Sequence, residues 1–352
     1  MSKLKVGIIG AGIGRSHATG LSGCKDVEIA AIAELNEPRA RGVMKDFGIK
    51  NFYRDYNEMF RVEKLDGVTV GIPNYLHKQA VCDALNAGVN VLCEKPMALN
   101  AVEAEQMAAL AKKKKKLLMI GFTNRFTPES RLLNSLVKKG EFGNVYHGRA
   151  FCVRRRGIPG LGGWFTTKNK SGGGGLIDIG VHIIDLTLWQ MGFPKPIAVS
   201  GQTFMKFGHK KDYNFTSMWG GLVKRGSFDV DDYASALIRL EGGKTISADI
   251  AWACNAGEEG FKTTILGDKG GAILDPYAKP VLTIYKEEFG KNVDIFPKVA
   301  EENVWVNEMS NFCDSIRGLV KPGTPAEHGV TVQKVLDAIY LSAKLGREVK
   351  IK

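Results

Sequence analysis

At 352 residues with 44 % hydrophobic side chains, the chain is long enough to bury a sizeable core and is expected to form two domains of a soluble globular protein. A net charge of +12 raises nucleic acid as a partner, but the basic residues are dispersed apart from Lys112 to Lys116 and no recognition motif accompanies them, which argues against that class. Cys24, Cys82, Cys93, Cys152, Cys254 and Cys313 form no Cys-x-x-Cys pair, so reduced thiols in a cytoplasmic protein are expected rather than a disulfide framework or a metal centre; no apolar span or cleavage signature points to a membrane or to export.

Lys5 to Ile9 reads as a strand, followed by Gly10-Ala11-Gly12-Ile13-Gly14 and a helix. Close-set glycines between a strand and a helix bring backbone N–H groups up to a pyrophosphate, as in a doubly wound α/β fold. The Gly-x-Gly-x-Gly spacing is one residue tighter than the usual fingerprint, and an ordinary strand-to-helix turn would look similar. Glu28 to Ala33 is the next strand and ends at Glu34, 24 residues after Gly10, where a carboxylate would accept from adenosine ribose hydroxyls and repel a 2'-phosphate. NAD is therefore expected over NADP, with Arg15 and Arg39 as the only features favouring the second.

Gly67 to Ile72 reads as a strand stopping at Pro73-Asn74, with a helix from Tyr75 to Ala87. Gly88 to Cys93 reads as a strand stopping at Glu94-Lys95-Pro96, so Lys95 is expected at the ligand-binding edge of the sheet; an exposed loop lysine is the competing reading. A helix closing with the lysine run, whose charge complements the helix dipole, leads to a strand from Leu117 to Phe122.

Gly172 to Gly192 opens with glycines and continues as an apolar helix with Ile179, Ile183, Leu186 and Trp189 on its core stripe. Asp178 and His182 interrupt the stripe four residues apart, which on a regular helix puts both on one face. A carboxylate beside an imidazole suits an acid/base pair, and it equally suits a core histidine satisfied by a nearby acid.

These motifs together give the resemblance. The glycine loop with His17, Pro73-Asn74 with His77, Glu94-Lys95-Pro96, Gly121-Phe122-x-x-Arg125-Phe126 and Gly173-Gly174-Gly175-x-x-Asp178-x-Gly180-x-His182-x-x-Asp185 resemble the glucose-fructose oxidoreductase / inositol dehydrogenase (Gfo/Idh/MocA) family over nearly the whole chain. The resemblance implies a Rossmann-type NAD-binding domain over 1–122 and an α+β substrate and oligomerisation domain over 123–352 with a largely antiparallel open sheet. Carried over onto this chain, Lys95, Asp178 and His182 are the expected catalytic set. Gly10, Gly12, Ile13, Gly14, Glu34, Pro73, Asn74, His77, Glu94 and Lys95 are the expected cofactor contacts. The implied substrate is a carbohydrate or polyol whose secondary hydroxyl is oxidised, C3 of a glucoside being the favoured case, in a homodimer or homotetramer. A redox-assisted glycosidase and a non-catalytic sugar or nucleotide sensor are the alternative readings.

In the second domain, Val145 to Val153 is expected as a strand, Tyr233 to Leu240 with Lys244 to Trp252 as a hairpin, and Phe261 to Leu266 with Gly271 to Leu274 as another. Val304 to Arg317 and Val330 to Leu345 read as helices. The Gly- and Pro-rich loop Arg154 to Phe165 offers Arg156 and Trp164 for sugar contacts, alongside Asn124; a core tryptophan beside solvated arginines would give the same pattern.

Overall fold

A computed structural model describes residues 3–215, 221, 223 and 226–352. In chain order its elements are β1 (Leu4–Ile9), α1 (Gly14–Ser22), β2 (Val27–Ala33), α2 (Glu37–Phe47), β3 (Asn51–Tyr53), α3 (Tyr56–Val62), β4 (Gly67–Val70), α4 (His77–Asn86), β5 (Asn90–Glu94), α5 (Ala101–Lys114) and β6 (Leu118–Gly121). There follow α6 (Pro128–Lys138), β7 (Val145–Val153), α7 (Lys168–Ser171), a π-helical turn (Leu176–Gly180), α8 (Val181–Gln190), β8 (Pro196–Phe204), β9 (Tyr233–Leu240), β10 (Thr245–Ala251), β11 (Gly260–Gly267) and β12 (Gly270–Leu274). The last elements are β13 (Leu282–Glu288), β14 (Lys291–Ile295), α9 (Val304–Ile316), α10 (Ala326–Leu345) and β15 (Val349–Lys350).

The chain forms two compact units. The first contains Met1–Thr127 with Glu301–Val330, and the second contains Pro128–Ala300 with Thr331–Lys352. The segment 301–330, which chain order alone put in the second domain, thus packs with the first. Its helix α9 lies on α1 so closely that a Cβ on Gly20 would stand 2.4 Å from the Trp305 carbonyl oxygen.

The first unit is built on a six-stranded parallel sheet in the order β3-β2-β1-β4-β5-β6. Val6, Ile8, Ile32, Val68, Val70, Val91 and Leu92 are buried along it, as a sheet covered on both faces requires. Strand order reverses between β1 and β4, where a doubly wound sheet opens its ligand crevice. Helices α2, α3 and α5 start with side-chain caps, from Asn36, Asp55 and Asn100, whereas α1 and α4 have none. The lysine run closes α5 as expected, with Lys115 in the left-handed region.

The second unit is built on a nine-stranded sheet in the order β14-β13-β12-β11-β7-β10-β9-β8-β15. β7 and β10 pair in parallel and every other pair is antiparallel. α8 packs on β7 and β11, where Gly148 lets it approach and the Thr187 and Thr263 hydroxyls meet at 2.8 Å. Among the described residues no helix is long and apolar enough to cross a membrane, and the six cysteines are free thiols.

Candidate active site

In the first unit, the glycine loop sits at the sheet's reversal point. Gly10 has φ +90, and a Cβ there would lie 2.3 Å from the Gly71 carbonyl oxygen, so both its conformation and the close pass of β4 demand glycine. Gly12 differs: nothing stands within 4 Å of where its Cβ would be. The loop therefore presents open backbone to the crevice at the uncapped start of α1, a combination that suits a pyrophosphate. Ile13 packs toward Gly71, and Gly14 brings the helix onto Ile8.

Glu34 is half-buried at the end of β2. Its Oε2 accepts from the Ala11 N–H at 2.7 Å and its Oε1 from the Asn36 N–H at 2.8 Å. The carboxylate expected to meet a ribose thus also fastens the glycine loop. These groups fit an NAD: an open N–H cradle, a carboxylate beside it, and close glycine packing beneath.

The other crevice residues divide by exposure. Within Val91–Ala98 every residue is buried except Lys95, which follows the end of β5 and is joined to Pro96 by a cis peptide bond. Glu94 points inward, its Oε1 3.0 Å from buried His17 Nε2 and its Oε2 accepting from the Lys95 N–H. His77 is buried with Nδ1 2.8 Å from the Pro96 carbonyl and Nε2 2.8 Å from the Ile72 carbonyl; burial holds its pKa below the ordinary histidine value. With both ring nitrogens on backbone, His77 ties the turn after β4 to the turn after β5, where a direct cofactor contact was expected. Asn74 is buried, while Pro73 and Asn124 are half-buried.

Glu308, on α9, was not singled out from the sequence. It is fully buried, its Oε2 accepts from the Thr123 hydroxyl at 2.9 Å, and its Oε1 has no hydrogen-bond partner among the described residues. Burial first, and the Glu94 carboxylate second, push its carboxyl well above the ordinary value of 4.5. The native state then holds a proton that the unfolded chain has released, so this group's contribution is fully present below the unfolded value and is lost as pH rises toward the folded one. Glu308→Gln is neutral at every pH. Its thermal midpoint is expected to exceed that of the parent chain by a margin that widens between about pH 5 and pH 8, and a pH-independent margin in circular-dichroism melts would contradict this.

In the second unit, the glycine-opened segment is not the regular helix expected. Leu176–Gly180 form a π-helical turn before α8 begins, a local widening often found at functional sites. The Asp231 carboxylate shapes it by accepting from the Gly174 and Leu176 N–H groups at 2.8 and 2.9 Å and from the Tyr340 hydroxyl at 2.5 Å. A Cβ on Gly174 would fall 1.8 Å from the Asp231 carbonyl oxygen and one on Gly173 2.0 Å from the Tyr340 hydroxyl, so the glycines admit this clamp. Ile179, Ile183 and Leu186 are buried as expected and Trp189 partly so.

From Gly173 to Leu188 only Asp178 and His182 keep any appreciable exposure. A stretch that buries everything else, including Asp185, leaves a carboxylate and an imidazole at its accessible surface. Asp178 Oδ2 accepts from the indole N–H of fully buried Trp252 at 3.0 Å. Sequence reasoning treated Trp252 only as the end of a hairpin strand.

Arg156 fastens its own loop where a sugar-facing donor was expected. It donates to the Arg155 and Cys254 carbonyls and to Asn255 Oδ1, each at 2.6 Å, and its guanidinium lies 4.6 Å from the Phe207 ring centre. Trp164 is half-buried and stacks on Phe165 with ring centres 3.7 Å apart.

Comparison with known proteins adds to this geometry. Residues 4–122 match the model of an oxidoreductase family described by its NAD-binding Rossmann fold, and residues 130–273 match the GFO/IDH/MocA C-terminal domain. The chain is 31 % identical to D-glucoside 3-dehydrogenase of Escherichia coli (strain K12), over 99 % of this chain and 98 % of that one. It is 31 % identical to glucose-6-phosphate 3-dehydrogenase of Bacillus subtilis (strain 168), over 75 % and 72 % of the two chains. The fold is that of levoglucosan dehydrogenase in its complex with NADH, with a TM-score of 0.86, 21 % identity and full coverage of both chains.

Proposed function

From the premise that the chain belongs to the GFO/IDH/MocA oxidoreductase family and is an NAD-dependent enzyme, we propose that it oxidises, reversibly, a secondary ring hydroxyl of a sugar, glycoside or inositol to a ketone, with C3 of a glucoside as the carbon oxidised. The observation that carries this reading is the selective exposure of Lys95, Asp178 and His182 within segments that bury their neighbours. Two relatives whose names place oxidation at C3 of a glucose unit support the choice of carbon.

Bound at the glycine loop, NAD supplies the hydride acceptor. Gly10, Gly12, Ile13 and Gly14 would hold its pyrophosphate and Glu34 its ribose. His182 takes the proton of the substrate hydroxyl, and Asp178 stabilises the imidazolium that results. Lys95 is the third residue assigned to the reaction, as a donor that stabilises charge developing on the substrate oxygen or as the alternative base. Trp164 and Asn124 contact the sugar. We assign a homo-oligomeric cytoplasmic enzyme.

The test is NADH absorbance with purified protein, NAD and a panel of inositols, free sugars and glycosides, with product mass measured alongside. A product lighter by two hydrogens, formed in step with NADH, supports the dehydrogenase. Bond cleavage without net NADH replaces it with a redox-assisted glycosidase, and silence across the panel with NAD bound favours a sensor.

The cofactor side makes its own prediction. Glu34→Ala removes the ribose acceptor and the partner of the Ala11 N–H, so KM for NAD should rise about 10-fold and the preference for NAD over NADP should narrow. Steady-state kinetics with both cofactors checks this, and an unchanged preference would exclude Glu34 from cofactor choice.

A further inference from the structure

We propose that Trp252 is a positioning residue for oxidation, acting through Asp178 by fixing the carboxylate with its indole N–H. The inference rests on the dehydrogenase reading above and adds a residue that never meets the substrate. Trp252 lies just beyond β10 and is fully buried. Its backbone is held on both sides: its N–H donates to the Asp232 carbonyl at 2.9 Å, and its carbonyl accepts from the Gly157 N–H at 2.8 Å. The Asp232 carboxylate is itself anchored by the N–H groups of Lys206, Phe207 and Gly208, so the partner of that backbone bond is fixed too.

The ring is as constrained as the backbone. Gly175 lies against it, where a Cβ would stand in ordinary contact 3.5 Å from the indole Cγ, so the ring packs directly beside the glycine run. Indole N–H is a donor only, with no second orientation in which it could accept. A rigid donor aimed at one carboxylate oxygen favours one orientation of that side chain on the π-helical turn. A donor to the charged form also favours that form, which is the state Asp178 needs to stabilise an imidazolium on His182.

Trp252→Phe keeps a ring in the core and removes the N–H. On the best substrate of the panel, kcat should fall about 10-fold to 100-fold, the value of a hydrogen bond to a charged group, while KM for the sugar and Kd for NAD stay within about twofold. In an Asp178→Ala background the same substitution should cost less than about twofold further, because the group it acts through is gone. Equal losses in both backgrounds would overturn the proposal.

Incorporation of 3-benzothienylalanine at position 252 covers the case in which the phenylalanine variant folds poorly, since it keeps the bicyclic shape without the N–H. Unchanged kcat in that protein would also overturn the assignment. The contact can be read without turnover: in ¹⁵N-tryptophan-labelled protein the Trp252 indole resonance should move upfield in Asp178→Ala, and a stationary resonance refutes the bond whatever the substrate proves to be. Failure of the dehydrogenase reading shows separately, as an inactive parent chain.

Discussion

His182→Ala should lower kcat by about 10³-fold to 10⁴-fold while the protein still binds NAD, because it removes the proposed base and leaves the first unit's glycine loop untouched. The imidazole ring is half-buried in a segment that encloses its apolar neighbours, so the substitution opens a small, solvent-facing space instead of a core cavity. Folding should therefore survive, and the loss should fall on turnover. Asp178 cannot replace the missing base, since its Oδ2 is held by Trp252 and an ordinary carboxylate is a weak base near neutral pH. Lys95 is the other group able to take the proton. If it were the base and His182 only its partner, the variant would keep turnover that a further Lys95→Met substitution removes. The measurement is single-turnover NADH formation by the single and double variants, with NAD affinity followed by protein fluorescence and added imidazole tested for rescue. A variant within tenfold of the parent chain at pH 7 would remove His182 from the base's role.

What the sequence made legible was local. β7 spans the residues its apolar pattern marks, β9 and β10 pair across Glu241-Gly242-Gly243, and β1, the glycine loop and α1 follow one another as the motif requires. Periodicity and turn chemistry act over a few residues, so these elements could be read from the sequence alone. The second sheet's mostly antiparallel pairing followed from those hairpins, while β8, β13 and β14 join it as strands that no hairpin turn of the Glu241-Gly242-Gly243 kind had marked. The missing pieces depend on partners far along the chain. Nothing near Gly174 announces that Asp231 will cap it, and nothing in Trp252 announces Asp178. His77 and Arg156 looked available because their residue types recognise ligands; the backbone carbonyls that occupy them come from Ile72, Pro96 and Cys254. Glu308 sits on an amphipathic helix where a charged residue reads as surface, and the packing of α9 within the first unit, with the Thr123 hydroxyl on its carboxylate, makes it a buried acid. The same long-range logic explains why 301–330 belongs with the first unit.

The clamp on the π-helical turn leads to the second large effect, in which Asp231→Ala costs both stability and activity. The substitution leaves the Gly174 N–H, the Leu176 N–H and the Tyr340 hydroxyl without their acceptor in a fully buried place. Each buried group left unpaired costs about 1–3 kcal/mol. Opposing this is the relief of a desolvated carboxylate, since burial raises the Asp231 carboxyl above its ordinary value and the donors beside it only partly restore it. Three lost partners outweigh one relieved group, so a net loss of about 3 kcal/mol is expected, together with a turn that no longer holds Asp178 in place. Asp231→Asn separates the contributions. Its amide oxygen can keep the Gly174 and Tyr340 donors on one side, while its NH₂ faces the Leu176 N–H and loses only that bond. Stability should therefore rank parent, Asn, Ala in urea unfolding, and kcat should follow the same order because the turn carries Asp178 of the proposed acid/base pair. Full activity in an Ala variant that had lost the stability would detach the clamp from the chemistry and leave it a purely structural device.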